Sequence, residues 1–185
     1  QLGISDSSFG KERIWANEIG GVLSGESGNW NLGLTFFWNE VSGYQFEKPS
    51  GYLDYYVDNA EEASMHGIEV DFSATPMEGW LFNLNFGMTD GEIDQHKGLS
   101  FDLTSPTLKS ESDFAGKDIP FTPEHTLSAS LTHQLTDNLN WGVGVRNIGK
   151  IHYLDQTATD TVNDSYTLLD ASISYERNGW GVGVF

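Results

Sequence analysis

The sequence has no cysteine and few basic residues, and both shortages exclude classes of function. Without cysteine there is neither a disulfide framework nor thiol chemistry. Nine lysines and arginines stand against 27 acidic residues, which gives a net charge of −18. Nucleic-acid binding needs clustered cations to contact phosphates, so we predict no nucleic-acid partner. The acidic excess fits soluble exposed loops, with attraction of cations as the alternative.

Long hydrophobic runs are also missing. The mean hydropathy is −0.36, and no apolar run approaches the roughly 18 residues of a membrane-spanning helix. The apolar mass is instead aromatic and dispersed, with 6 Trp, 7 Tyr and 11 Phe. A β-barrel strand crosses a membrane with about 9–11 residues, of which only alternate ones are apolar. The low hydropathy is therefore compatible with a membrane protein.

No catalytic or metal-binding pattern is present in the sequence. The histidines fall in separate segments without the spacing of metal ligands, and we interpret each as a surface or strand residue: His66, His96, His125, His133 and His152. There is no plausible Ser/His/Asp or paired-carboxylate arrangement. Gly142-Val-Gly144 lies inside a predicted strand with no helix after it, unlike a nucleotide loop. We predict no enzymatic activity, no metal and no cofactor.

Alternation with a period of two dominates the chain. In the segment from Trp30 to Phe46, the even positions are mostly large and apolar, whereas the odd positions are mostly small or polar. Successive side chains of a strand point to opposite sides, so one face must meet lipid or a core. The same pattern predicts about eight strands, which begin near Arg13, Trp30, Gly67, Trp80, Thr126, Trp141, Leu169 and Trp180.

The connections between these strands alternate in length. The short ones are Gly25–Asn29, Pro76–Gly79, Thr136–Leu139 and Arg177–Gly179, and the long ones are Glu47–Ala63, Gly91–Phe121 and Gly149–Ser165. Each short connection leads into a tryptophan: Trp30, Trp80, Trp141 or Trp180. Four tryptophans at one height are typical of an aromatic girdle at a membrane interface; four buried core tryptophans are the alternative.

Charged residues within the strands fall mostly on the polar face, namely Glu18, Glu69, Asp71, Arg146, Asp170 and Glu176. Such a placement keeps charge away from lipid. The fold class predicted is therefore all-β, an antiparallel up-and-down transmembrane β-barrel segment of about eight strands. Short periplasmic turns and long extracellular loops would connect the strands.

Four stretches carry a resemblance to a known family. They are Glu18-Ile-Gly followed by Trp30-Asn-Leu-Gly-Leu-Thr-Phe-Phe-Trp-Asn and Tyr44-Gln45; Asp58-Asn-Ala-Glu-Glu-Ala-Ser-Met-His-Gly-Ile-Glu-Val70; Gly116-Lys-Asp-Ile-Pro-Phe-Thr-Pro-Glu-His-Thr126; and Asn163-Asp-Ser-Tyr-Thr-Leu-Leu-Asp-Ala-Ser-Ile-Ser-Tyr175 followed by Trp180. In this order they resemble the C-terminal barrel of TonB-dependent outer-membrane receptors, particularly ferric siderophore receptors. The resemblance covers nearly the whole chain.

The resemblance implies a role in outer-membrane transport of a scarce nutrient, with ferric siderophore uptake as the expected case. Residues 1–185 would be part of the receptor barrel, without the plug domain and without the terminal strand. The implied partners are membrane lipid and lipopolysaccharide, an iron–siderophore or similar ligand, and TonB acting through the plug. The implied location is the bacterial outer membrane.

Large aromatic residues in the predicted long loops are the candidate ligand-binding residues, because flat rings suit catecholate or hydroxamate iron chelates. They are Tyr52, Tyr55, Tyr56, Phe101, Phe114 and Tyr153. Packing between loops, or an outer interfacial belt, is the alternative role of these rings.

Two other functions remain open from the residues alone. A passive porin-like channel would have opposed acidic and basic residues along its pore, and basic residues are scarce on the polar face here. A soluble β-sandwich binding module would instead pack its apolar faces on each other. An outer-membrane enzyme is the weakest alternative, since it lacks a catalytic arrangement.

Overall fold

Antiparallel strands make up almost all of the structure. The computed structural model describes residues 9–49, 55–102, 105–153 and 161–185. Within these ranges the strands are β1 (Arg13–Ser24), β2 (Trp30–Ser42), β3 (Gln45–Pro49), β4 (Tyr55–Asn59), β5 (Glu62–Ala74), β6 (Trp80–Gln95), β7 (Lys97–Asp102), β8 (Ser105–Asp113), β9 (Lys117–Asp118), β10 (His125–Thr136), β11 (Leu139–Ile148), β12 (Ile151–Tyr153), β13 (Thr161–Asn163), β14 (Tyr166–Arg177) and β15 (Trp180–Val184). The same ranges contain no helix with the length and hydropathy needed to cross a membrane.

Eight strands form one continuous meander in the order β1-β2-β5-β6-β10-β11-β14-β15, and β9 adds a short pairing on β6. All of these pairings are antiparallel. The up-and-down topology and the eight predicted main strands are therefore confirmed. The predicted continuous strand from Trp30 to Phe46 is interrupted, because the backbone bends at Gly43 with a φ of 68° and β3 begins at Gln45.

The three predicted long connections carry regular structure of their own. Each contains a two-stranded hairpin beyond the main sheet: β3 with β4, β7 with β8, and β12 with β13. β6 also runs on to Gln95, well into the segment predicted as a loop. β8 has a single large apolar residue, Leu108, so the period-two pattern does not indicate this strand or its pairing with β7.

Register places the four turn tryptophans on one face of the main sheet. Trp80 pairs with His133, which pairs with Trp141, and Trp141 pairs with Ile173. Trp30 pairs with Ala74, and Ala74 pairs with Phe82, two residues from Trp80 on the same side of β6. We call this side the tryptophan face. Its members include strongly exposed apolar side chains, namely Ile19, Phe36, Met88, Val143, Leu169, Ile173 and Val182. An apolar surface of this extent indicates lipid rather than water as its surroundings.

The opposite side, the polar face, is lined by small and hydrophilic residues. Of the ten glycines in the main sheet, all except Gly21 lie on this face. They are Gly20, Gly33, Gly67, Gly87, Gly91, Gly142, Gly144, Gly181 and Gly183. The charged residues predicted for this face lie on it, since Glu69 pairs with Gly87 and Asp170 pairs with Gly144.

Among the described residues, the cluster of buried hydrophobic side chains lies at one end of the polar face. Val41, Ala60, Ala63, Ile93 and Ile119 form the buried cluster there, and Tyr44 and Met65 pack against it. This end of the sheet is the one opposite the tryptophan turns. Here β9 and the base of the β3–β4 hairpin fold against β2, β5 and β6. The sheet itself has no conventional core, because its two faces look outward to different surroundings.

Asn59 fastens the β3–β4 hairpin to the chain that enters β1. Its Nδ2 donates to the carbonyl of Gly43 at 2.6 Å, and its Oδ1 accepts from the amide of Gly10 at 2.6 Å. The amide of Gln45 donates to Glu12 Oε2 at 2.8 Å in the same junction. Tyr44 lies between these contacts, and burial, with a smaller contribution from the charge of Glu12, raises its pKa above 10.0.

We predict that Gly67→Ala destabilises the sheet. A Cβ at Gly67 would lie 2.5 Å from Phe37 Cζ and would also meet the carbonyl oxygen of Met88. The Phe37 ring and the backbone would have to shift, at a cost of about 1–3 kcal/mol. Urea unfolding of the full-length protein in lipid vesicles measures the loss. Gly21→Ala is the matched control, since nothing lies within 4 Å of the added Cβ. Equal midpoints for the two variants would contradict the prediction.

We also predict that Tyr44 makes stability depend on alkaline pH. Because the folded-state pKa of Tyr44 lies above the unfolded-state value, its contribution is complete below about pH 10 and falls as the pH rises towards the folded-state pKa. Unfolding midpoints of the full-length protein measured from about pH 9 to about pH 11 should fall more steeply for the natural protein than for Tyr44→Phe. Parallel slopes would refute this assignment.

Candidate functional site

A break in strand pairing creates the main candidate site. The pairing of β6 with β10 ends at Met88 and His125, and β9 takes over the same edge of β6 at Glu92. Between the two, the amide of Ile119 donates to the carbonyl of Gly91, and the amide of Thr89 donates to the carbonyl of Glu124. Residues 120–123 consequently leave the sheet at its end opposite the tryptophan turns. We call this region the rim.

Phe121 projects from the rim in a strained backbone conformation. Its φ is 64°, a region that bulky L-residues rarely occupy, and 67% of its surface is exposed. The amide of Phe121 donates to the carbonyl of His152, and Pro123 forms an isolated bridge with Ile151. Strain of this kind at an exposed aromatic residue is typical of functional surfaces.

Phe121 and Tyr153 form an aromatic pair at the rim. Their ring centroids are 5.3 Å apart and the ring planes meet at 76°, an edge-to-face contact. Tyr153 is half-buried, whereas Phe121 is open to solvent. The pair therefore offers one aromatic surface to a ligand that arrives from outside, with Tyr153 holding Phe121 in position.

A charged cleft lies beside this pair. His152 Nδ1 is 3.2 Å from Asp118 Oδ2, and His152 Nε2 is 3.9 Å from Glu124 Oε1. Lys150 Nζ lies 3.3 Å from the same Glu124 oxygen. The cleft has a volume of about 480 Å³ and opens on the tryptophan face, since Phe86 and Met88 also line it. Its carboxylates, imidazole and hydroxyl groups can exchange hydrogen bonds with a polar ligand.

A second polar region lies on the polar face. Asp71 pairs with Asn85, Asn85 with Ser128, and Ser128 with Arg146, so a carboxylate and a guanidinium occupy the two ends of one row. The row borders a shallow cleft of about 350 Å³ that Glu69 also lines. Arg146 makes no ion pair with any residue that the structure describes. Nor do the described residues include a group of three His, Cys, Asp or Glu side chains able to hold a metal ion.

The six aromatic residues predicted to bind ligand fall in different surroundings. Tyr153 reaches the rim, but Phe114 is only 6% exposed and its ring packs 5.5 Å from that of His96. Tyr52 lies outside the described residues. Tyr55 and Tyr56 are in β4 and Phe101 is in β7, and their side chains are outside the described part of the structure.

Sequence reasoning missed Phe121 and His152 as rim residues. The segment Pro120-Phe-Thr-Pro123 was recognised only as the start of a strand. Two prolines three residues apart remove two backbone donors, so these residues are poorly suited to a sheet, and this signal could have identified the rim.

The chain matches the β-barrel of a known family. Residues 3–185 match the family model described as TonB dependent receptor-like, beta-barrel. Over 132 residues the chain is 32% identical to the catecholate siderophore receptor Fiu of Escherichia coli K12, which covers 66% of this chain and 16% of that receptor. The chain thus spans about a sixth of the length of this curated relative.

Solved structures show the same fold. The closed form of the ferric-catecholate import receptor Fiu from E. coli superposes with a TM-score of 0.68 at 20% identity, covering 94% of this chain and 23% of the receptor chain. The siderophore receptor PiuA of Acinetobacter baumannii gives a TM-score of 0.67 at 21% identity, covering 89% of this chain and 22% of the receptor. The chain therefore belongs to the family of TonB-dependent outer-membrane receptors and forms part of the wall of their β-barrel.

Proposed function

We propose that the complete protein takes up a ferric siderophore across the outer membrane with energy supplied through TonB. The observation that carries this proposal is the match of residues 3–185 to the receptor barrel, together with 32% identity to a catecholate siderophore receptor. By this proposal the tryptophan face contacts lipid and lipopolysaccharide, and the polar face lines the inside of the barrel. TonB would act through a plug domain, and the family is one of receptors, not of enzymes.

The rim supports the ligand part of the proposal. A catecholate chelate of iron is aromatic and anionic, so exposed rings can stack on it and Lys150 can contribute a cation. Phe121 and Tyr153 present such rings at the end of the sheet opposite the tryptophan turns. Of the six aromatic residues predicted from the sequence, Tyr153 is the one whose described side chain fits this role best, because Phe114 is buried.

A growth experiment tests the transport function. The full-length gene is expressed in an iron-starved strain that lacks its own siderophore receptors, and growth is measured with ferric catecholates, with ferric hydroxamates and with cobalamin. The expected result is growth on an iron chelate that disappears when tonB is deleted. Growth that persists without TonB would support the porin-like alternative, and rescue by cobalamin alone would refute the iron assignment.

Binding measurements test the rim residues. We predict that Phe121→Ala and Tyr153→Ala each weaken binding of a ferric catecholate to the purified receptor by about threefold to tenfold, since an aromatic contact contributes about 0.5–1.5 kcal/mol. Quenching of intrinsic fluorescence gives the Kd. Phe9→Ala is the matched control, because Phe9 is a 56% exposed aromatic residue just before β1 and away from the cleft. An unchanged Kd in both rim variants would exclude this surface.

A further inference from the structure

Three rings form a compact cluster on the tryptophan face next to the short turns. Register sets Trp80, His133 and Trp141 side by side on β6, β10 and β11. His133 stacks on Trp80 with centroids 4.1 Å apart and an angle of 20° between the rings. Trp141 meets Trp80 edge-on at 5.8 Å. Two indoles thus fix the position of one imidazole, whereas Trp180, at the same end of the sheet, is 83% exposed.

The hydrogen bond within the cluster fixes which nitrogen of His133 carries the proton. Trp141 Nε1 lies 3.2 Å from His133 Nδ1. An indole nitrogen can only donate, so Nδ1 must accept and the proton of the neutral imidazole must be on Nε2. His133 Nε2 has no hydrogen-bond partner among the residues that the structure describes. The cluster therefore presents one oriented N–H donor from a half-buried ring.

The position of the cluster determines what can accept this hydrogen bond. His133 follows Leu131 on the tryptophan face, at the point where the apolar side chains end and the turns begin. In a membrane this is the level of the lipid headgroups, where indole rings are favoured. The two adjacent turns each carry an exposed carboxylate, Glu78 and Asp137. A phosphate group can accept the hydrogen bond from His133, and a cationic group joined to that phosphate can pair with the carboxylates of Glu78 and Asp137.

We propose that Trp80, His133 and Trp141 form a binding site for the headgroup of phosphatidylethanolamine in the leaflet on the side of the turns. A phosphate oxygen of the lipid accepts the hydrogen bond from His133 Nε2. The ammonium group lies towards Glu78 and Asp137, and the acyl chains run along the neighbouring apolar side chains. The proposal depends on placement of the barrel in the outer membrane and is independent of the transported ligand.

Native mass spectrometry of the delipidated full-length receptor tests the proposal. The apparent Kd of the most tightly bound lipid is measured for phosphatidylethanolamine and for phosphatidylglycerol. We expect His133→Leu to weaken phosphatidylethanolamine binding about tenfold, because a hydrogen bond to a charged group is lost. His133→Gln, which keeps an N–H donor, should restore part of the affinity. Trp180→Leu is the matched control and should leave the Kd unchanged, since Trp180 lacks the imidazole neighbour.

A second measurement uses the natural protein and therefore does not depend on whether a variant folds. Phosphatidylethanolamine should bind more tightly than phosphatidylglycerol, because the latter has no ammonium group to complement Glu78 and Asp137. Equal binding of the two lipids, or tighter binding of phosphatidylglycerol, overturns the proposal. Unchanged lipid binding by a folded His133→Leu variant also overturns the proposal. The three rings would then be ordinary members of an aromatic belt that does not select among lipids.

Discussion

Backbone pairing between neighbouring antiparallel strands is the constraint on which the rest of this molecule depends. Inside a membrane no water is available for unpaired amide and carbonyl groups, so a strand must bond to a strand on each side. In the meander the six inner strands β2, β5, β6, β10, β11 and β14 each pair with a strand on both sides, and four of the seven connections are short turns. Once the pairing is set, alternate side chains are committed to opposite faces, and a slip of one residue would bring Asp71 and Glu69 to the lipid side.

The same constraint explains where the candidate site lies. In the described part of the chain, β6 changes its pairing partner beyond the apolar part of the tryptophan face, where water can satisfy backbone groups again. Residues 120–123 leave the sheet at that level, and with Pro120 and Pro123 they have two fewer amides to satisfy. The strained Phe121, its neighbour Tyr153 and the cleft around His152 all occur in this region. The sheet is regular along the apolar part of the tryptophan face and irregular beyond that part.

The sequence predicted the strands of the main sheet and their two faces. It did not predict the hairpins beyond the sheet or the contacts at the rim, for physical reasons. The segments of β2, β5, β6, β10, β11 and β14 alternate because each has one apolar face, and the tryptophans after the turns were confirmed on that face. The strands of the hairpins beyond the sheet are short, or, like β8, poor in large apolar residues, so they give only a weak period-two pattern. Burial of Phe114 against His96 and contact of Tyr153 with Phe121 join residues distant in sequence, which periodicity cannot relate.

The concentration of glycines on the polar face has a consequence for whatever packs against that side. A long side chain loses up to about 2 kcal/mol of rotamer freedom when it is covered, whereas a glycine loses none. Positions such as Gly33, Gly87, Gly142 and Gly144 therefore lower the entropic cost of covering this face. A surface of this kind also lets a packed segment come close to the backbone of the sheet, because no side chain stands in between.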